Sequence, residues 1–174
     1  MRSNSREIEA IADRASIENV LLTYYHGIDR ADYAAIRSCF FEDVSIDCGP
    51  FWGPGGLDAY MAYVKGPEAL GGYERTMHFA GNMLIDIAGD KARSETYAIA
   101  YHTTAPEHEW TGSFVVVYLR YLDRLERRDG IWKILKRTFV VEWIRKEDAR
   151  DGTWQDLPPE ARGRRDREDP FYEL

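Results

Sequence analysis

Between Arg75 and Ile144 four long β-like stretches follow one another: RTMHFAGNMLIDIA, KARSETYAIAYHTT, WTGSFVVVYLRYLDRLERRDG and GIWKILKRTFVVEWI. No other feature restricts the possible folds as much. The stretches are rich in β-branched and aromatic residues with period-two alternation, the pattern of strands. Their connections are GD, APEHE and RDG, and the first and last have hairpin-turn chemistry. Antiparallel strands of this length twist into a curled sheet and need something apolar to cover one face.

The residues before them supply that cover. Over residues 5–29, Ile8, Ile11, Ala15, Val20, Leu21, Tyr24 and Ile28 recur on one broad helical face. Asp32 is placed to cap a second, shorter helix in DRADYAAIRSCF. FFEDV leads into a strand, VSIDC, and GPFWGPGG is a turn. GLDAYMAYVKGPEAL reads as a third helix. Helices first and long strands after predict an α+β domain: a strongly curved sheet wrapped around the N-terminal helices, its concave side enclosing an apolar pocket. That domain spans residues 1–145. Residues 146–174 are polar and proline-bearing and read as a tail that packs on the body or on a neighbouring subunit.

Composition narrows the function classes. A 44% hydrophobic content is enough for a sizeable core in one domain. A net charge of −7 argues against nucleic-acid and anionic-membrane partners, and the basic run RGRRDR is interleaved with acids. Two cysteines in no metal or disulfide spacing, a charged N-terminus and no long apolar run fit a cytoplasmic protein. Cys39 reads as a small buried hydrophobe. No phosphate-cradle, dinucleotide, zinc-protease or nucleophile-elbow motif is present, so neither a cofactor nor a metal is expected. His102 and His108, with Glu107 and Glu109, lie in HTTAPEHEW, which lacks metal spacing and reads as a solvated turn.

Four polar residues break the apolar pattern. Arg137 shares strand parity with Leu135, Phe139, Val141 and Trp143. It either points into a pocket, pairs with a nearby acid, or is turned outward by a bulge. Tyr24 lies on the apolar face of helix one, and Asp29 at its end. His78 lies in a strand with Ala80, Asn82 and Leu84 on its side. Each alone has a structural reading: a satisfied core histidine, a capping aspartate, a core tyrosine. Together, facing one cavity, they have the parts of an acid–base site: a base, a carboxylate that orients it, and two donors for developing negative charge.

ASIENVLLTYYHGIDRADYAAIRSCFFEDV, RTMHFAGNMLID and YLDRLERRDGIWKILKRTFVVEWI resemble, in order and spacing over roughly residues 8–145, the SnoaL-like branch of the nuclear-transport-factor-2-like superfamily. Within that branch they look like the group containing scytalone dehydratase, γ-hexachlorocyclohexane dehydrochlorinase and bile acid 7α-dehydratase. The resemblance implies a cone-shaped mixed sheet around helices. It also implies an aspartate–histidine dyad at Asp29 and His78, a polar residue five before the aspartate at Tyr24, and an arginine of the last strand at Arg137. Pocket lining and tail depart from the group, which leaves the substrate open.

The expectation is a cofactor-independent lyase, a dehydratase acting on a small cyclic apolar hydroxylated substrate. In it His78 is the base, Asp29 its orienter, Tyr24 a donor to hydroxyl or carbonyl, and Arg137 the stabiliser of the departing charge. Three alternatives share the cone: an isomerase or cyclase, a non-catalytic hydrophobic-ligand-binding module, and a small structural subunit of a ring-hydroxylating dioxygenase. Apolar groups on both faces of FVVVYLRYL predict a homodimer or homotrimer built on the outer sheet face.

Overall fold

The computed structural model describes residues 2–105, 112–148 and 157–173, with side chains from residue 7 onward. Its elements are α1 (Arg2–Arg30), α2 (Tyr33–Ser38), β1 (Phe40–Asp47), α3 (Leu57–Lys65), β2 (Tyr73–Ala88), β3 (Lys91–Thr104), β4 (Ser113–Arg128) and β5 (Ile131–Asp148). Short 3₁₀ turns occupy Leu70–Gly72, Pro159–Ala161 and Pro170–Glu173. Among the described residues the strands form one sheet in the order β1-β5-β4-β3-β2. β1 runs parallel to β5, and every other pair is antiparallel. The fold is the expected α+β cone, with helices covering the concave face of a curved mixed sheet.

Local chemistry sets the joints. Asp32 caps α2 by accepting the Ala35 N–H. Gly27 lets α2 pack closely on α1, since a Cβ there would stand 2.9 Å from Ile36 Cγ1. The β4–β5 hairpin turns through Asp129 and Gly130, both at positive φ, as a two-residue turn with the twist of its strands requires. Ile17, Leu21, Tyr24, Tyr25 and Ile28 of α1 pack into the core with Phe40, Leu119, Tyr121 and Ile134.

Several expectations are corrected. Ile8 and Ile11 are exposed: at this end of α1 it is Glu9 and Asp13 that meet the sheet, at Arg127. The third helix stops at Lys65, where Gly66 and Pro67 interrupt it. Three bulges change which strand residues share a side. In β2, Gly81 and Asn82 stand opposite one residue of β3, so Met83, Ile85 and Ile87 follow Ala80 inward and Leu84 is exposed. In β5, Leu135 is the extra residue: Ile134 and Arg137 both face inward. A second extra residue at Glu142 sends Trp143 to the outer face, where it stacks on Tyr118 at 4.6 Å.

Beyond β5, residues 157–173 lie against the end of α1. Arg30 binds Asp169 at 2.6 Å and the Arg164 carbonyl oxygen at 2.6 Å. Asp32 receives the Tyr172 hydroxyl and pairs with Arg167, both at 3.0 Å. Phe171 covers the His26 ring, with centroids 4.3 Å apart.

Candidate active site

The dyad joins the last turn of α1 to the start of β2. His78 Nδ1 lies 2.7 Å from Asp29 Oδ1, and the His78 backbone N–H donates to Asp29 Oδ2 at 2.8 Å. Thr76, two residues earlier on the same strand face, donates its hydroxyl to Oδ1 at 3.0 Å. Three donors thus converge on one carboxylate. Burial alone would raise the Asp29 pKa, but the bonds from His78 and Thr76 outweigh it and hold the carboxyl below its ordinary value. An ionised Asp29 can only accept, so His78 Nδ1 carries the proton of that bond, and in the neutral tautomer the lone pair is on Nε2. The ring lies parallel to Tyr25, with centroids 6.4 Å apart.

The cavity beside this dyad encloses about 100 Å³. Tyr24, Tyr60, His78, His102, Tyr121 and Phe139 are among its lining residues. On the wall formed by α1 and α3, the hydroxyls of Tyr24 and Tyr60 meet at 2.6 Å. Burial is the main influence on both phenols and pushes their pKa values well up, partly offset by Arg137. Both therefore remain protonated donors at neutral pH. A wider cleft of about 490 Å³, over Leu84, Asp86, Arg93 and Lys136, holds none of these groups.

Arg137 is not among the cavity-lining residues. It is wholly buried one layer behind, where Nε and Nη2 donate to Asp123 Oδ1 and Oδ2, each at 2.7 Å. Its guanidinium carbon lies 4.0 Å from the Tyr24 ring centroid and 4.9 Å from that of Tyr121. Of the readings open from sequence, the nearby acid describes this geometry. The structure thus brings Tyr24 and His78 to one cavity, with Asp29 behind His78 and Arg137 behind Tyr24.

Three residues at or behind the cavity escaped the sequence reading. Tyr60 was one apolar-face residue among several in α3. His102 belongs to β3, not to a solvated turn; it is buried, donates Nδ1–H to the Val115 carbonyl oxygen at 3.2 Å, and meets the His78 ring edge-on at 5.7 Å. Burial lowers its pKa to about 3, so it stays neutral. The signal available for it was strand parity with Ala98 and Ala100. Asp123 was hidden by register. Counted outward from the Arg128–Ile131 pair, it would face Lys136, and the bulge at Leu135 moves its partner to Arg137. Glu107, His108 and Glu109 lie outside the described residues. Among the described residues no group of three or more His, Cys, Asp or Glu is placed to hold a metal ion, and no helix is long and apolar enough to cross a membrane.

The profile of the SnoaL-like domain family matches residues 9–138. Hexachlorocyclohexane dehydrochlorinase 1 of Sphingobium indicum is 21% identical over 140 residues, covering 75% of this chain and 82% of that protein. An uncharacterized protein of Mycobacterium tuberculosis is 25% identical over 132 residues, covering 75% and 86%. Among solved structures, a provisional scytalone dehydratase from Novosphingobium aromaticivorans superposes with a TM-score of 0.69 at 23% identity, covering 81% of this chain and 91% of that one. A type 2 hexachlorocyclohexane dehydrochlorinase gives 0.70 at 19% identity, covering 88% and 98%. At these identities the structural likeness establishes the fold.

Proposed function

The chain belongs to the SnoaL-like domain family, and from that premise we propose that it is a cofactor-independent lyase that dehydrates a small cyclic, mostly apolar hydroxy compound. The observation that carries this reading is the ionised Asp29 holding His78 on the wall of a cavity that the Tyr24–Tyr60 hydroxyl pair also lines. His78 Nε2 removes a proton from carbon next to an electron-withdrawing group. Asp29 orients the ring and offsets the imidazolium charge. The electron pair of the broken C–H bond forms the double bond as the neighbouring C–O bond breaks. The proton on His78 passes to the departing hydroxyl, which leaves as water, and the site ends as it began. The Tyr24–Tyr60 pair, in which one hydroxyl donates to the other, turns its remaining O–H to the substrate oxygen on which charge develops. Arg137 adds positive charge from behind Tyr24. Names carried by relatives, a dehydrochlorinase and a provisional scytalone dehydratase, support elimination as the reaction class.

Cyclic hydroxyketones, hydroxysteroids and chlorinated rings should be screened without added metal or nucleotide. On any compound that turns over, His78→Ala and Asp29→Asn should each lower kcat by about 10²–10⁴-fold. Equal turnover by the wild type and His78→Ala on every active compound would overturn the reading. A ligand-binding module, by contrast, would hold its ligand without turning it over, and the hold would survive loss of His78.

A further inference from the structure

A charged pair sits in the driest part of this molecule. Arg137 is 0% and Asp123 3% exposed, and they meet through two parallel bonds. Such a pair is an expensive way to fill a core, because desolvation of both ions consumes most of their attraction; apolar groups of the same size often serve as well. Its geometry is directional. Asp123 holds the Nε–Nη2 edge of the guanidinium, and the plane lies over the rings of Tyr24 and Tyr121. The cation of the pair is therefore in direct contact with the tyrosine layer. Tyr24 and Tyr60 in turn share a hydrogen bond at the cavity. The positive charge of Arg137 opposes the upward push of burial on Tyr24, Tyr25, Tyr60, Tyr121, Cys39 and Cys48 alike. Its field thus reaches the Tyr24–Tyr60 side of the cavity.

We infer that Asp123 and Arg137 form a buried positioning unit that acts on the substrate through Tyr24: Asp123 fixes the guanidinium under the Tyr24 ring, and the cation strengthens the Tyr24–Tyr60 pair as a receiver of negative charge on a substrate oxygen. The inference rests on the acid–base reading of the cavity and deepens it. It assigns the substrate an oxygen that becomes anionic, an enolate or alkoxide, held against the tyrosine hydroxyls. A cation beneath a ring attracts the π-electrons and leaves the phenol O–H a stronger donor. Between groups as buried as Arg137 and Tyr24 this attraction is screened little.

The test reads charge stabilisation without turnover. 4-Nitrophenol is bound across its own ionisation, and absorbance gives the affinities of phenolate and phenol separately. Wild type should prefer the phenolate by tenfold or more. Exchanging the pair for apolar groups, Asp123→Leu with Arg137→Met, should reduce that preference about tenfold. Tyr24→Phe should do the same, and the triple variant should lose little beyond either, because both act along one path. If the exchanged pair does not fold, Arg137→Gln, which keeps a donor for Asp123 but no charge, carries the test, with an expected loss of several-fold. His78→Ala should keep the preference, which separates this inference from the dehydratase reading. An unchanged preference after the pair is removed, losses that multiply in the triple variant, or no phenolate preference in wild type would each overturn it.

Discussion

At the residue scale, ionisable groups withdrawn from water include the Asp29–His78 dyad and the Asp123–Arg137 pair. The second makes a stability prediction independent of chemistry. Arg137→Met alone leaves an unpaired carboxylate in the core and should cost about 3–5 kcal/mol. Adding Asp123→Leu should recover most of that loss, as read by denaturant titration. A single variant as stable as wild type would contradict the buried pair. His102 makes a pH prediction. Its folded pKa, about 3, lies below the ordinary 6.5. Below pH 6.5 the unfolded chain therefore takes up a proton that the folded ring refuses, and stability falls as pH drops from about 6.5 towards 3. Asp29 acts lower, since a depressed carboxyl contributes above its ordinary 3.8 and loses that contribution only as pH falls through its folded value. Melting temperature measured from pH 7 to 4 should fall less steeply in His102→Phe than in wild type. Parallel curves would rule the histidine out.

At the element scale the C-terminal segment acts as a strap on the cavity rim. Arg165 Nη1 donates to the carbonyl oxygens of Leu70 and Tyr73, and both residues line the cavity. The hold is not a strong one. Nε and Nη2 of Arg165 are buried without a hydrogen-bond partner, and burial chiefly lowers the pKa of the guanidinium. Unmet donors of this kind cost about 1–3 kcal/mol each, which opposes docking. Arg165→Gln should therefore loosen the rim with a small effect on global stability. Faster amide hydrogen exchange at residues 70–73, with a melting temperature within a few degrees of wild type, is the expected result. Unchanged exchange there would mean that the strap does not hold the rim.

At the scale of the whole molecule, the outer face of the cone presents Met77, Phe79, Leu84, Tyr97 and Trp143 to solvent, with Phe79 62% exposed. Met77, Phe79 and Tyr97 lie on the neighbouring strands β2 and β3, and Trp143 stacks on Tyr118 of β4. Apolar surface of this extent in one sheet face is characteristic of a contact surface. A homodimer or homotrimer on this face is the expected assembly, and light scattering at micromolar concentration should report a multiple of 20.1 kDa. Phe79→Lys with Trp143→Glu should shift it to monomer. A wild-type monomer would contradict the assignment.

Read by itself, the sequence determined the class of fold, the order of its elements, both tight hairpins and the Asp32 cap. Each depends on neighbours a few residues apart, through periodicity and turn chemistry. It also singled out Tyr24, Asp29, His78 and Arg137, because a polar group on an apolar face stands out wherever it lies. What those groups touch was decided by the tertiary structure alone. One inserted residue at Leu135 exchanges Lys136 for Arg137 opposite Asp123, and another at Gly81–Asn82 turns Met83 inward in place of Leu84. A bulge leaves no mark in alternation until the partner strand is in place, since a shift of one residue exchanges the two faces. Tyr60 and His102 reach the cavity in the same way: α3 and β3 are far from Asp29 along the chain and meet it only once the sheet has curled.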